Sequence, residues 1–135
     1  VYKLNKMIAN LVFTSIAAVL GIMLFFSFVV APVGFNSLNE KSYRNFIRKI
    51  FPFYYGINLL ILILASIPIY VYHGMNFSLV LIYICCALFA ISLFILMPLI
   101  NKFKDKKKNN KFKIFHSISV VINFAQIFIL ILVIF

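Results

Sequence analysis

Hydrophobic and polar positions along the 135-residue chain fall into long blocks. No Asp, Glu, Lys or Arg occurs in residues 7–31, 52–72, 77–100 or 115–135. Each block supplies the roughly 20 residues that an α-helix, rising about 1.5 Å per residue, needs to cross about 30 Å of hydrocarbon. The blocks lack the alternation of a transmembrane barrel strand. They predict an all-α integral membrane protein, an antiparallel four-helix bundle forming a single transmembrane domain over residues 1–135. Between the first two blocks, Tyr43, Phe46, Ile47 and Ile50 recur at helical spacing opposite Lys41, Arg44, Asn45 and Arg48. This predicts a short interfacial amphipathic helix between spans one and two, capped by Ser42 or Asn39. Ala31-Pro32-Val33-Gly34-Phe35 reads as the stop of span one, because Pro32 disfavours helical geometry at Ala31 and Gly34 permits a sharp turn. Pro52 suits the first turn of span two, Pro68 predicts a kink near its outer end, and Pro98 predicts a bend or an end of span three.

Composition agrees with a bilayer-dissolved chain: 65% hydrophobic, 11% charged, mean hydropathy +1.13. The first block is too long for the apolar region of a secretory signal, and Pro32 follows the position where cleavage would fall. Val1 in place of Met points to a truncated, processed or alternatively started N-terminus. The net charge of +11 is placed unevenly. Lys41, Arg44, Arg48 and Lys49 lie between spans one and two, and Lys102, Lys104, Lys106, Lys107, Lys108, Lys111 and Lys113 between spans three and four. Only Lys3 and Lys6 lie on the other side. The positive-inside rule then predicts a multi-pass protein of the cell membrane with basic loops cytoplasmic and both termini external. Tyr54 and Tyr55 would mark the inner interface of span two, with Tyr70 and Tyr72 at the outer one. Lys104, Lys106, Lys107, Lys108 and Lys111 are candidates for binding anionic lipid headgroups, at about 1 kcal/mol per Lys. Nucleic acid is not expected, because Phe103, Phe112 and Phe115 continue into helix ends instead of forming a stacking surface.

Glu40 and Asp105 are the only acidic residues, and no carboxylate or lysine lies within a block. Paired-carboxylate hydrolases and ion-coupled pumps therefore lack their groups, and no phosphate-cradling glycine loop or nucleophile motif occurs. Cys85 and Cys86, adjacent on span three, read as packing residues. The one polar pattern inside the apolar blocks is His116, Ser119, Asn123 and Gln126, whose spacing of three, four and three puts them on one helical face. A one-sided polar stripe in hydrocarbon is expected to face the bundle interior, a partner or water. His116 falls level with Tyr54, Tyr55 and Asn58 of span two and Ser27 of span one. Two readings follow: a hydrogen-bonded cluster locking span four to span two, or a ligand pocket near the cytoplasmic side formed by His116, Ser119, Asn123, Asn58, Tyr55 and Tyr54. No metal or cofactor is assigned. Copper at Met7, His73 and Met75 and haem singly ligated by His116 remain open; bis-histidine haem within one protomer does not, since His73 lies at the opposite side. Asn10, Thr14, Ala17, Ala18 and Gly21 give span one a small face expected to meet other helices.

Several of these residues carry a family resemblance. Gly21, Phe25 to Phe28, Ala31, Pro32, Phe35 and Leu38 resemble the A-P-x-x-F-x-x-L signature closing the first span of the transmembrane-protein-205-like family, known in bacteria as domain of unknown function 4149. Phe51 with Tyr54 and Tyr55 resembles that family's aromatic opening of span two, and Asn101 with Asp105 its N-x-x-x-D. Phe112, Phe115, His116, Ser119 and Asn123 follow its F-x-x-L-H-x-x-S-x-x-x-N pattern, with Phe115 in place of the usual Leu. The resemblance implies a four-span membrane protein without an established activity. Two classes of function follow: a non-enzymatic membrane protein whose polar stripe is structural or binds a small ligand, a membrane partner or a second copy of itself, and a redox or cofactor-dependent membrane enzyme or copper-handling membrane protein using His116.

Overall fold

The computed structural model describes residues 2–135, and the reading made at Val1 lies outside them. The chain is all-helical. Its helices are α1 (Tyr2–Ser37), α2 (Glu40–His73), α3 (Phe77–Asp105) and α4 (Asn109–Ile134), each long and apolar enough to cross a membrane. The starts of α1, α2 and α4 and the end of α3 run beyond their apolar blocks into charged sequence, where Lys, Arg and Glu are good helix formers and water solvates their charges. Asn39 caps α2, its Oδ1 accepting from the Ser42 amide at 2.9 Å, and Asn76 caps α3 through the Leu79 amide at 3.0 Å. Gly74, at φ +65°, ends α2 with a positive φ that glycine adopts without penalty. The α3–α4 turn uses Lys107 at φ +55° instead. Lys108 bonds back to the Phe103 carbonyl and Lys107 to that of Lys104, the pair of a Schellman motif.

The four helices form a bundle in which α1 and α3 each pack on both α2 and α4. Ile16, Val19 and Met23 of α1 meet Leu62 and Ile69 of α2, Leu79, Ile82, Cys85 and Phe89 of α3, and Ile127 and Leu130 of α4. These positions repeat at three and four residues, the helical spacing of one buried stripe. Outward positions are equally apolar, Leu11, Phe28, Leu64, Phe94 and Phe128 among them. In lipid the inside is therefore distinguished by packing and polar pairing rather than by hydrophobicity. Cys85 is buried and Cys86 half-buried, both as free thiols.

Five expectations require correction. The chain does not stop at residues 31–35: α1 remains helical to Ser37. It passes Pro32 by means of a π-helical turn over Phe26–Val30, in which the Ala31 amide bonds the Phe26 carbonyl five residues back. The wide turn relieves the clash between a helical proline and the carbonyl four residues before it. Helix α3 repeats the device, with a π turn over Ser92–Leu96 directly before Met97-Pro98, so Pro98 does not end the helix. Gly34 has a different use from the one expected, since a Cβ there would lie 3.2 Å from the Tyr43 ring of α2. The residues of the expected interfacial helix, 41–50, do not form a separate element; they continue unbroken through Pro52 into the rest of α2. Tyr54 and Tyr55 point into the bundle, only 5% and 7% exposed, where they stack with Phe26 and Phe51. Finally, the small face of α1, with Asn10, Thr14, Ala17, Ala18 and Gly21, turns outward and α1 meets its neighbours through larger side chains.

Candidate functional site

Three helices contribute to one polar seam. The Tyr54 hydroxyl of α2 donates to Asn123 Oδ1 of α4 at 2.7 Å, and Asn123 Nδ2 donates to Ser27 Oγ of α1 at 3.1 Å. Ser27 lies within the π turn of α1, so the device that carries Pro32 also sets a seam residue. Phe26 covers the seam with its ring 4.4 Å from that of Tyr54, excluding lipid and strengthening bonds in a low dielectric. Farther along the bundle, Gln126 Nε2 donates to the Cys85 carbonyl at 3.2 Å, which ties α4 to α3. The side chains of Asn58 and the Oε1 of Gln126 are buried and find no hydrogen-bond partner among the described residues.

The predicted cluster is therefore only partly assembled. Asn123 and Tyr54 join, with Ser27 as the third member. Tyr55 is buried against Phe51 and Phe89 and makes no bond to the stripe. Asn58 is fully buried but unpaired. Ser119 turns its hydroxyl back to the His116 carbonyl of its own helix, at 2.7 Å. His116 is exposed on the outside of α4, its ring stacked on Phe112 at 5.7 Å. The stripe thus points inward at Asn123 and Gln126 and leaves the interior at His116. What the seam does chemically is limited to neutral hydrogen bonding: it orders helices and carries no charge.

At the other pole of interest, the beginning of α2 and the α3–α4 turn are locked together. Arg48 reaches Asp105 with two bonds, at 2.6 and 3.2 Å, and donates to the Asn101 carbonyl at 3.2 Å. Lys104 lies 3.6 Å from Glu40. Asp105 thus ties the two basic segments to each other, while Glu40 only lies near Lys104 in a long, exposed pair. Sequence reasoning missed these pairs, although two lone carboxylates among basic segments were the signal. Of the lysines expected to meet headgroups, Lys104 packs 4.8 Å over Phe112 and Lys111 5.5 Å over Phe103, while Lys106, Lys107 and Lys108 are exposed. A cavity of about 310 Å³ opens here, lined by Glu40, Arg44, Lys104, Lys107 and Asn109. A second, larger one of about 530 Å³ lies at the opposite end, mostly apolar, with His73, Asn76 and Ser78 at its polar side. Among the described residues no group of three or more His, Cys, Asp or Glu side chains is arranged to hold a metal ion.

Residues 14–109 match the family model for a domain of unknown function, DUF4149. That stretch holds Ser27, Tyr54 and the Arg48–Asp105 pair, whereas His116, Ser119 and Asn123 follow it. No curated protein and no solved structure matches the chain. By the share of its length that the family model covers, the chain belongs to the DUF4149 family.

Proposed function

We propose that this is a non-enzymatic, multi-pass protein of the cell membrane, an antiparallel bundle with both termini external, whose basic cytoplasmic end engages anionic lipid headgroups. The observation that carries the reading is the Arg48–Asp105 bridge. By holding the start of α2 against the end of α3, it gathers basic residues from two segments at one level of the bundle. Clustered Lys and Arg beside a membrane span attract anionic lipid at about 1 kcal/mol each. The seam of Tyr54, Asn123 and Ser27 is read as the internal lock of the bundle, since its donors and acceptors satisfy one another. His116, facing outward, suits a lipid or partner contact better than a ligand pocket inside the bundle. The wider kinship with the transmembrane-protein-205-like family belongs to the same proposal and rests on the Ala31-Pro32 and Asn101–Asp105 elements.

Purification in mild detergent followed by native mass spectrometry tests the lipid reading: phosphatidylglycerol should be retained in preference to phosphatidylcholine. Equal retention of the two would overturn it. A reporter fused after Phe135 should respond as an external group, and a cytoplasmic response would overturn the orientation.

A further inference from the structure

The cavity at the basic end has a lining that the charge of the segments alone does not explain. Arg44 and Lys104 are half-buried, so their aliphatic stems pack on the bundle end while their heads reach the cavity. Lys104 lies over the Phe112 ring, and the Schellman turn sets the backbone position of Lys107, whose side chain is exposed. Three basic residues thus line the cavity with one acidic residue and Asn109. Arg44 makes no hydrogen bond or ion pair among the described residues, unlike Arg48 one turn away. The carboxylate is poorly held: Glu40 is 81% exposed and its contact with Lys104 is long, 3.6 Å. An exposed pair at that distance contributes little.

We propose that this cavity is a phosphate-binding site, in which a phosphate oxyanion displaces Glu40 from Lys104 and is held by Arg44, Lys104 and Lys107. The planar guanidinium of Arg44 offers the paired donors suited to phosphate oxygens, and the lysines supply point charges. Glu40 acts as the internal competitor, occupying Lys104 until a stronger anion arrives. The same chemistry fits the phosphodiester of a lipid headgroup and a free phosphate in the cytoplasm. The lipid source rests on the membrane function proposed above; the site itself does not.

The full-length protein in lipid nanodiscs tests the site. One arm compares retention of phosphatidylglycerol with phosphatidylcholine, and a second titrates inorganic phosphate into phosphatidylcholine nanodiscs. Charge-assisted hydrogen bonds are worth roughly tenfold each in affinity, so Arg44→Gln/Lys104→Gln should weaken binding about a hundredfold. Lys49→Gln/Lys113→Gln, matched in charge but outside the cavity, should cost no more than about fivefold through diffuse attraction at physiological salt. Glu40→Gln should tighten binding by roughly threefold, since it removes an exposed competitor. Circular dichroism of each variant confirms that the helices persist. A Glu40-sensitive, Arg44-dependent response in the first arm assigns the site to lipid, and in the second to soluble phosphate. If phosphatidylglycerol is preferred but the two double variants lose equally, the site is overturned while the general lipid reading survives. If neither arm shows binding, both are overturned.

Discussion

Tyr54→Phe removes one hydroxyl from the seam and leaves the ring, stacked on Phe26, in place. The lost bond spans helices α2 and α4 at 2.7 Å, and Tyr54 is only 5% exposed, so no water replaces it readily. Interhelical hydrogen bonds in membranes average about 0.6 kcal/mol and reach about 1.7, and the short, buried geometry puts this one at about 1 kcal/mol or above. Asn123→Ala removes two bonds at once and strands the hydroxyls of Tyr54 and Ser27, for roughly 2–3 kcal/mol. Because both variants delete the same Tyr54–Asn123 bond, the double variant should be less destabilised than the sum of the singles, by about 1 kcal/mol of coupling. The assay is reversible unfolding in mixed micelles of rising dodecyl sulfate content, with helicity as the readout for the parent, the two single variants and the double variant. Additivity within about 0.3 kcal/mol would refute the bond as a link between α2 and α4.

Three other outcomes follow. Asn58→Leu, which replaces a buried unpaired amide by an apolar group of similar size, should leave stability unchanged or raise it by about 1–3 kcal/mol in the same micelle assay, and a loss beyond about 1 kcal/mol would mean that the amide has a partner. His116→Leu should change unfolding by less than about 0.5 kcal/mol, because the ring is exposed and contacts its own helix; a larger loss would return His116 to the interior. Asp105→Asn should release Arg48 and speed amide hydrogen exchange at the end of α3, with no change near Gly74 at the opposite end of α2, and unaltered exchange at residues 101–105 would show that the bridge does not hold that end.

The number of helices was legible because lipid imposes an unmistakable length of uncharged sequence on each span. Where those helices stop was not. Residues 31–35 carry Pro and Gly, the usual signs of an ending, yet a π turn before Pro32 lets α1 continue, and π hydrogen bonding has no residue signature of its own. The site was half legible for a similar reason. Spacing along α4 reports angle, and Asn123 and His116 share nearly the same angle; burial also requires a neighbour at the same height. At Asn123 that neighbour exists, in Tyr54 and Ser27. At the basic end α4 instead meets α3 through Phe115 stacked on Phe103, about 100° around the helix from His116, which leaves the histidine outside. Arg48 and Asp105 are 57 positions apart in sequence, and periodicity carries no information on such a pairing.

The two π turns also alter how this sequence compares with others. A π turn accommodates one more residue than the regular helix over the same rise, so α1 and α3 are each written in two frames, one before and one after Phe26–Val30 and Ser92–Leu96. A relative lacking one residue in either stretch would keep its earlier face and turn everything after it by about 100°. In α1 that rotation carries Gly34 away from the Tyr43 ring, and in α3 it swings Asp105 off Arg48. Single-residue gaps in these ten positions are therefore expected only together with a changed proline, a filled glycine or a lost ion pair farther down the same helix.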